Sequence, residues 1–314
     1  MKRATDVITF YDPSFWGLGS AQEFRDWAME SPASFWERVM DTLVEAGVSG
    51  IELTFAPGDI STVLRAYGSA AAFRDELNGR GLSVVSAFMA ASEGADWRDP
   101  ANLPAIIEDA ERHAEFLAEV GAQVLVTGLP MRKTYGEQPP FFVDAAYMTQ
   151  MADVAHVVGE AVSRHGVKLA FHTESNSTLW YERDIDLFML LTDPRYVWLC
   201  PDSCHIALGG GDPVAVARRH ARRIAIAHWK DAVKPIDVEL TIDDTVFVQQ
   251  QPYMAELGTG IVDWPGWAAV MARTPGAGTV LIELDEAADP LKALRAGVHM
   301  ATQMLSKTEF QEAN

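Results

Sequence analysis

Short apolar runs alternate with longer amphipathic stretches along the whole chain. Strands that are buried on both faces of a sheet read as near-continuous apolar runs, bounded by turn residues. On that criterion we predict eight strands, at residues 6–10, 50–55, 83–89, 123–128, 168–174, 196–202, 224–230 and 279–285.

The stretches between these runs have helical spacing. Clear examples cover residues 34–47, 106–121 and 148–166, and a glycine closes each one, as is common at helix C-termini. Strict alternation of strand and helix predicts an α/β fold, a closed (β/α)8 TIM barrel. The alternative, an open doubly wound sheet, is weakened because no GxGxxG motif follows the first predicted strand.

The length of 314 residues and the 48% hydrophobic content suit one large barrel domain. We assign residues 1–306 to this domain and residues 307–314 to a C-terminal tail. Two long segments, 129–147 and 231–262, follow predicted strands and are expected to lie over the C-terminal face of the barrel, where long loops are usually functional.

The formal net charge of −19 argues against binding to nucleic acid or to an anionic membrane surface. No apolar run of about 18 residues is long enough for a membrane span, and the N-terminal residues lack the apolar core of a signal peptide. The two cysteines, Cys200 and Cys204, are too few for a disulfide framework, so we expect both to be reduced. A cytoplasmic protein is the resulting expectation.

Polar residues, whose burial costs free energy, stand at the ends of several predicted strands, where barrel enzymes carry their catalytic groups. If the barrel closes, these side chains converge at its mouth. They are His172 and Glu174 on the fifth strand, Asp202 on the sixth with His205 three residues later, His228 and Lys230 on the seventh, Glu283 on the eighth and Glu52 on the second.

Several acidic side chains and imidazoles gathered at the barrel mouth would repel one another without a cation, so we predict a divalent metal site. The expected ligands are one of His172 or Glu174, then Asp202, His228 and Glu283. Mixed carboxylate and imidazole ligands favour Mn²⁺, with Co²⁺, Fe²⁺, Zn²⁺ or Mg²⁺ as alternatives. A single histidine at a strand end is more often structural, but the coincidence on four successive strands favours the metal.

Two stretches carry a family resemblance: "DPRYVWLCPDSCHIALGGGDPVAVARRHARRIAIAHWKD" and "GTGIVDWPGW". They resemble the sugar phosphate isomerase/epimerase superfamily of xylose isomerase-like, metal-dependent TIM barrels, and within it the inosose dehydratase branch. The resemblance implies that Asp202, His228 and Glu283 bind the metal. Strand five departs from the family pattern, because the expected glutamate position holds His172 and Glu174 lies two residues later.

The aromatic opening "TFYDPSFWG" and the long seventh loop also resemble the larger subunit of bacterial C-glycoside deglycosidases. That resemblance implies action on a 3-oxo-glycoside and a small second subunit. A partner over the barrel mouth, or an oligomer, is therefore expected.

These resemblances imply a lyase that removes a proton next to a carbonyl of a keto-sugar, cyclitol ketone or 3-oxo-glycoside and then eliminates a β leaving group. His205, with Glu174 or His172, is the expected acid/base, and Lys230 is expected to bind a substrate oxygen. Glu52 is a candidate for a substrate hydroxyl. The aromatic candidates for stacking on a sugar, for which core packing is an equal alternative, are Phe10, Trp16 and Trp229.

Three other functions stay open at this point. A metal-dependent sugar (phosphate) isomerase or epimerase shares the proton-abstraction step. A non-catalytic sugar-binding subunit would hold no metal. An endonuclease of the same fold would bind DNA, which the net charge disfavours.

Overall fold

Eight parallel strands form the centre of the molecule, a computed structural model that describes residues 1–90, 96–132, 142–243 and 245–312. They are hydrogen-bonded in the order β6-β5-β4-β3-β2-β1-β10-β7. The two ends of this sheet meet, since the amide of Ala225 donates to Leu199 and that of His228 donates to Pro201, both at 3.1 Å. The predicted (β/α)8 barrel is confirmed.

The strand bounds are as follows. The barrel consists of β1 (Lys2–Asp6), β2 (Gly50–Leu53), β3 (Ser83–Met89), β4 (Val124–Thr127), β5 (Lys168–His172), β6 (Val197–Cys200), β7 (His228–Trp229) and β10 (Thr279–Ile282). A separate antiparallel pair consists of β8 (Asp231–Ala232) and β9 (Met254–Ala255).

Helices surround the barrel and connect its strands. They are α1 (Pro13–Trp16), α2 (Ala21–Glu30), α3 (Pro32–Ala46), α4 (Ile60–Tyr67), α5 (Ala70–Gly79), α6 (Leu103–Val120), α7 (Ala145–Ser163), α8 (Glu182–Leu191), α9 (Ser203–Leu208), α10 (Pro213–His220), α11 (Val246–Gln250), α12 (Trp264–Met271) and α13 (Pro290–Glu312). In the part of the chain that the structure describes, no helix is long and apolar enough to cross a membrane.

The first strand lies earlier than predicted. It runs from Lys2 to Asp6, whereas residues 7–10 form a 3₁₀ turn. Asp6 starts this turn by accepting a hydrogen bond from the amide of Ile8 at 2.6 Å. The charged residues Lys2 and Arg3 hide the strand pattern, although they pair in register with β10.

The predicted helix ends are confirmed at two of the three glycines. Gly47 and Gly121 close α3 and α6 in the left-handed conformation. Helix α7 instead ends at Ser163, and Gly166 takes its positive φ of 74° three residues later. The chain needs those extra residues to turn into β5.

The long segment 231–262 is not structureless, since it contains β8, α11 and β9. Residues 133–141, in the middle of the other long segment, lie outside the described residues, as do 244 and 313–314. Helix α13 continues to Glu312, so its backbone extends through most of the predicted tail.

The inside of the barrel holds small and medium apolar side chains. They form a separate cluster: Ala4, Val124, Val126, Ala170, Cys200, Ala225, Ile226 and Leu281. A larger apolar layer fills the space between the strands and the helices. Successive strand residues alternate between these two layers, so His172 points inward with Ala170. The polar site therefore sits on top of the inner cluster, at the carboxyl ends of the strands.

Candidate metal centre

Four side chains from neighbouring strands meet at the barrel mouth. His172, Asp202, His228 and Glu283 each offer one nitrogen or oxygen atom, and these atoms all lie within 4.8 Å of one another. All four residues are buried, with at most 8% of any one exposed. The convergence predicted from the strand ends is what the fold produces, with His172 in the fourth position.

Asp202 is held in place by the helix that follows it. Its Oδ1 accepts a hydrogen bond from the amide of His205 at 2.8 Å, which caps the N-terminus of α9. Its Oδ2 lies 3.8 Å from Nε2 of His172 and accepts no hydrogen bond. One oxygen is thus structural and the other points into the cluster.

His228 is oriented by a carboxylate behind it. Its Nε2 lies 2.9 Å from Oε1 of Glu52, and the other oxygen of Glu52 accepts a 2.5 Å hydrogen bond from Ser86. Its Nδ1 faces Glu283 at contact distance. Metal-binding histidines in proteins usually have such a carboxylate on the second ring nitrogen, which fixes the ring and raises its basicity.

Lys230 neutralises the acidic side of the mouth. Its Nζ lies 2.9 Å from Oε1 of Glu283 and 2.7 Å from Oδ2 of Asp285. The lysine is only 5% exposed, so this contact fixes the carboxylate of Glu283 and leaves Oε2 facing His228.

A second group shares His172 with the first. Nδ1 of His172 lies 3.4 Å from Oε2 of Glu174, and Oε1 of Glu174 lies 3.2 Å from Nε2 of His205. Glu174 therefore bridges two imidazoles from the edge of the four-residue cluster, at a distance that permits proton transfer to His205.

Charge balance explains the pKa values in the cluster. Burial opposes the charged form of His172, but its carboxylate neighbours Asp202 and Glu174 raise the pKa of the ring to about 10. Burial also opposes ionisation of Glu283, but Lys230 and His228 hold the pKa of this carboxyl well below its ordinary value. The carboxylates thus need positive charge beside them, and protonated imidazoles supply it in this arrangement.

The same atoms suit a divalent cation. The buried atoms that make no hydrogen bond in the described structure include both ring nitrogens of His172, Nδ1 of His228, Oδ2 of Asp202, Oε2 of Glu283 and Oε1 of Glu174. Buried polar atoms are normally paired, so this concentration is unusual. Two imidazoles and two carboxylates form a donor set typical of divalent transition metals, and a cation there would replace protons as the balancing charge.

Glu52 lies inside the barrel, behind His228. Its side chain is fully buried and its oxygens face Ser86 and His228, because strand β2 places it deep inside the barrel. In the structure Glu52 supports the histidine, and its contact with a substrate hydroxyl stays a prediction.

The three aromatic candidates lie in packing layers. Phe10 and Trp229 are at most 1% exposed. Trp229 follows His228 on the strand and so points outward, where it stacks on Trp264 at 5.4 Å between ring centroids. Trp16 packs in an aromatic cluster with Phe24, Trp27 and Phe35, and its indole N–H donates to the carbonyl of Phe10. These contacts favour the core-packing alternative, and stacking on a sugar stays a prediction.

Sequence reasoning missed four polar residues beside the cluster. Asp6 pairs in register with Glu52, and its pKa is raised by burial and by the neighbouring carboxylates; the misplaced first strand concealed it. Asp285 follows Glu283 by two residues, a parity that could have revealed it. Ser175 and Gln250 contact each other and carry no local signal.

The family model described as "Xylose isomerase-like TIM barrel" matches residues 40–304. An inosose dehydratase of Mesomycoplasma hyopneumoniae (strain 7448) is 26% identical over 266 residues, covering 82% of this chain and 83% of that protein. The chain is therefore similar to a curated protein along most of both sequences.

Solved structures show the same fold at lower identity. The probable 3-DHS dehydratase AsbF from Bacillus anthracis is 16% identical with a TM-score of 0.71, over 96% of this chain and 99% of that one. The IOLI protein, solved with a bound zinc atom, is 15% identical with a TM-score of 0.69, over 98% and 99%. These structures show the fold, and the family match over residues 40–304 shows that the chain belongs to the xylose isomerase-like TIM barrel family.

Proposed function

We propose that this protein is a divalent-metal-dependent lyase that removes water, or another β leaving group, from a sugar-like or cyclitol ketone. The observation that carries the proposal is the Glu174–His205 pair at the edge of the four-residue cluster. Dehydration next to a ketone needs such a pair, because one proton leaves carbon and one must reach the departing oxygen.

His172, Asp202, His228 and Glu283 would hold the metal. When bound, a divalent cation at this position supplies positive charge that polarises a carbonyl oxygen. The zinc in the similar IOLI structure supports a metal here, and the expectation of Mn²⁺ stays a prediction. Choosing His172 over Glu174 as the fourth ligand rests on the 4.8 Å grouping, to which Glu174 does not belong.

The acid/base work then falls to Glu174 and His205. Oε1 of Glu174 accepts the proton from the carbon next to the ketone, and Nε2 of His205 donates a proton to the leaving hydroxyl. Because these atoms lie 3.2 Å apart, the proton taken up by Glu174 can pass to His205 and restore the starting state. The net change is the loss of one water and the formation of one carbon–carbon double bond.

Lys230 contributes charge rather than a direct substrate contact in this scheme. Its ion pairs with Glu283 and Asp285 occupy the ammonium group, and its low exposure keeps it beneath the mouth. The sequence-based role at a substrate oxygen is replaced by stabilisation of Glu283.

The names of the relatives support dehydration over the alternatives. The sequence relative that matches most of the chain is an inosose dehydratase, and a structural neighbour is a probable 3-DHS dehydratase. Both names describe a dehydratase, an enzyme that removes water from its substrate. Four features stay predictions: activity as a C-glycoside deglycosidase, a small second subunit, an oligomer and a cytoplasmic location.

The test is incubation of purified protein with an inosose, a 3-oxo-glucoside and a ketohexose, each in the presence of Mn²⁺ or Zn²⁺, in D₂O. Mass spectrometry then reads two events separately. Deuterium uptake reports proton removal, and loss of one water or of the aglycone reports elimination.

We expect elimination from at least one ring ketone, and its disappearance in Glu174→Gln. A matched control is Glu37→Gln, an exposed glutamate on α3 that should behave as wild type. Deuterium uptake with no elimination product would contradict the lyase and favour the isomerase or epimerase. Metal binding with neither event would favour the non-catalytic subunit.

A further inference from the structure

A chain of buried contacts runs from the long segment 231–262 to the acid/base pair. The hydroxyl of Ser175 contacts the amide oxygen of Gln250 and lies 2.9 Å from Nδ1 of His205. Nε2 on the opposite side of that ring lies 3.2 Å from Glu174. Gln250, Ser175 and His205 are each at most 2% exposed, so water does not compete for these contacts.

The direction of the hydrogen bonds follows from what each group can do. Oε1 of Gln250 can only accept, so the single hydroxyl proton of Ser175 points toward Gln250. The Ser175 oxygen is then left to accept, and the partner that can donate to it is Nδ1 of His205. Nδ1 must therefore carry a proton.

This arrangement decides which ring nitrogen does chemistry. A histidine whose Nδ1 is protonated and held exchanges protons through Nε2, as in other acid/base sites where a second group fixes the tautomer. Here Nε2 faces Glu174. We infer that Gln250 and Ser175 are positioning residues that hold His205 with a proton on Nδ1 and so assign proton exchange to Nε2. This inference rests on the acid/base role given to His205 in the proposed function.

Gln250 comes from a different segment of the chain than Ser175 and His205. It is the last residue of α11, in the middle of the segment that follows β7, whereas Ser175 follows β5 and His205 lies on α9. The long segment therefore contributes a side chain that contacts the proposed acid/base pair through Ser175.

Removing the acceptor should reverse the tautomer. In Gln250→Leu the Ser175 hydroxyl loses its acceptor and can turn its proton toward Nδ1 of His205. The neutral ring then carries its proton on Nε2, which can no longer accept one. Gln250→Glu keeps an oxygen acceptor and should keep the wild-type tautomer.

The test is nitrogen-15 NMR of the histidine rings in the zinc-loaded protein, at a pH where the ring of His205 is neutral, with His205 assigned from the signals lost in His205→Gln. We expect a protonated Nδ1 in the wild type and in Gln250→Glu, and an unprotonated Nδ1 in Gln250→Leu. The matched control is Gln251→Leu, an exposed glutamine next in the chain, which should show the wild-type signals.

An unprotonated Nδ1 in the wild-type protein would overturn the inference, whatever the variants do. So would a protonated Nδ1 in folded Gln250→Leu. This readout needs no substrate, so it can fail or succeed independently of the lyase proposal.

Kinetics supply the second readout once a substrate is identified. A lost supporting contact at such a site typically costs about 10- to 100-fold. We expect Gln250→Leu to lower kcat by that factor with KM within about twofold, and Gln250→Glu to restore most of kcat. An equal loss in both variants would instead indicate a purely structural role.

Discussion

Two fully buried aspartates on adjacent parts of the barrel mouth have opposite surroundings. Asp231 follows β7 and accepts five hydrogen bonds, from the amides of Ala232, Gly258, Gly260 and Val262 and from the indole of Trp264. Among the described residues, the carboxylate of Asp202 accepts one hydrogen bond, through Oδ1, and its Oδ2 accepts none.

The two aspartates differ in how many hydrogen-bond donors surround the buried carboxylate. Burying a charged group costs free energy unless its partners replace water. The loop around Asp231 supplies all those partners, so this residue anchors the segment 258–264 to the barrel. In the described structure the second oxygen of Asp202 has no such partner. The ring nitrogens of the neighbouring His172 make no hydrogen bond there either. Unmet hydrogen-bonding capacity, rather than residue type or burial, separates the candidate metal site from the structural site.

The largest effect is expected for Asp202→Asn, which removes the charge and keeps the helix cap. Asparagine is an equally good N-cap, so the start of α9 should survive, while the charged ligand is lost. We expect zinc binding to fall from about one ion per chain to near zero by elemental analysis. Activity should drop by about 10³-fold or more, because several kcal/mol of charge stabilisation disappear.

Asp212→Asn is the matched control for this change. Asp212 also caps a helix, α10, through the amides of Val214 and Ala215, but it lies outside the cluster and is exposed. Full metal content in Asp202→Asn would refute the ligand role.

Glu174→Gln is expected to have the next largest effect, by separating acid/base chemistry from metal binding. Loss of a positioned proton acceptor typically lowers the rate by about 10²- to 10⁴-fold. We expect kcat to fall in that range while the bound metal stays at the wild-type level. Loss of the metal instead would make Glu174 the fourth ligand and exclude the assignment to His172.

Glu52→Gln should have a smaller effect on the metal. Glu52 touches His228 rather than the ion, and removal of such a supporting carboxylate typically weakens metal affinity by about 10- to 100-fold. Competition with a coloured zinc chelator measures this change. An unchanged affinity would mean that Glu52 does not orient the ring.

Asp231→Asn should leave the metal affinity unchanged and lower stability. An amide –NH₂ would replace one acceptor oxygen and face donors, and each buried donor left unpaired costs about 1–3 kcal/mol. Urea unfolding should show a lower midpoint with the same slope. If this variant lost metal as well, the division between the two aspartates would be wrong.

The sequence predicts the barrel and the four cluster residues well because both depend on local signals. Apolar runs define the strands, and a costly polar residue at a strand end marks the mouth whatever the loops do. Strand parity also places His172 and His228 inward. The first strand was misplaced because Lys2 and Arg3 interrupt its apolar pattern.

The rest of the site depends on contacts between distant segments. Gln250 lies 75 positions from Ser175 in the chain, and no periodicity relates the two. For Trp229 and Glu52, a position near a strand end does not tell which way the side chain points or how deep it lies. Trp229 points away from the barrel axis, and Glu52 lies below the mouth, which only three-dimensional packing decides.

The central claim is that His172, Asp202, His228 and Glu283 bind one divalent metal ion. Anomalous diffraction at the zinc absorption edge, from crystals of the zinc-loaded protein, tests it most directly. We expect one strong anomalous peak for zinc, with ligand distances of about 2.0–2.2 Å to an atom of each of these four residues. A peak bound by Glu174 in place of His172 would contradict the ligand assignment, and the absence of any peak among these side chains would contradict the metal site itself.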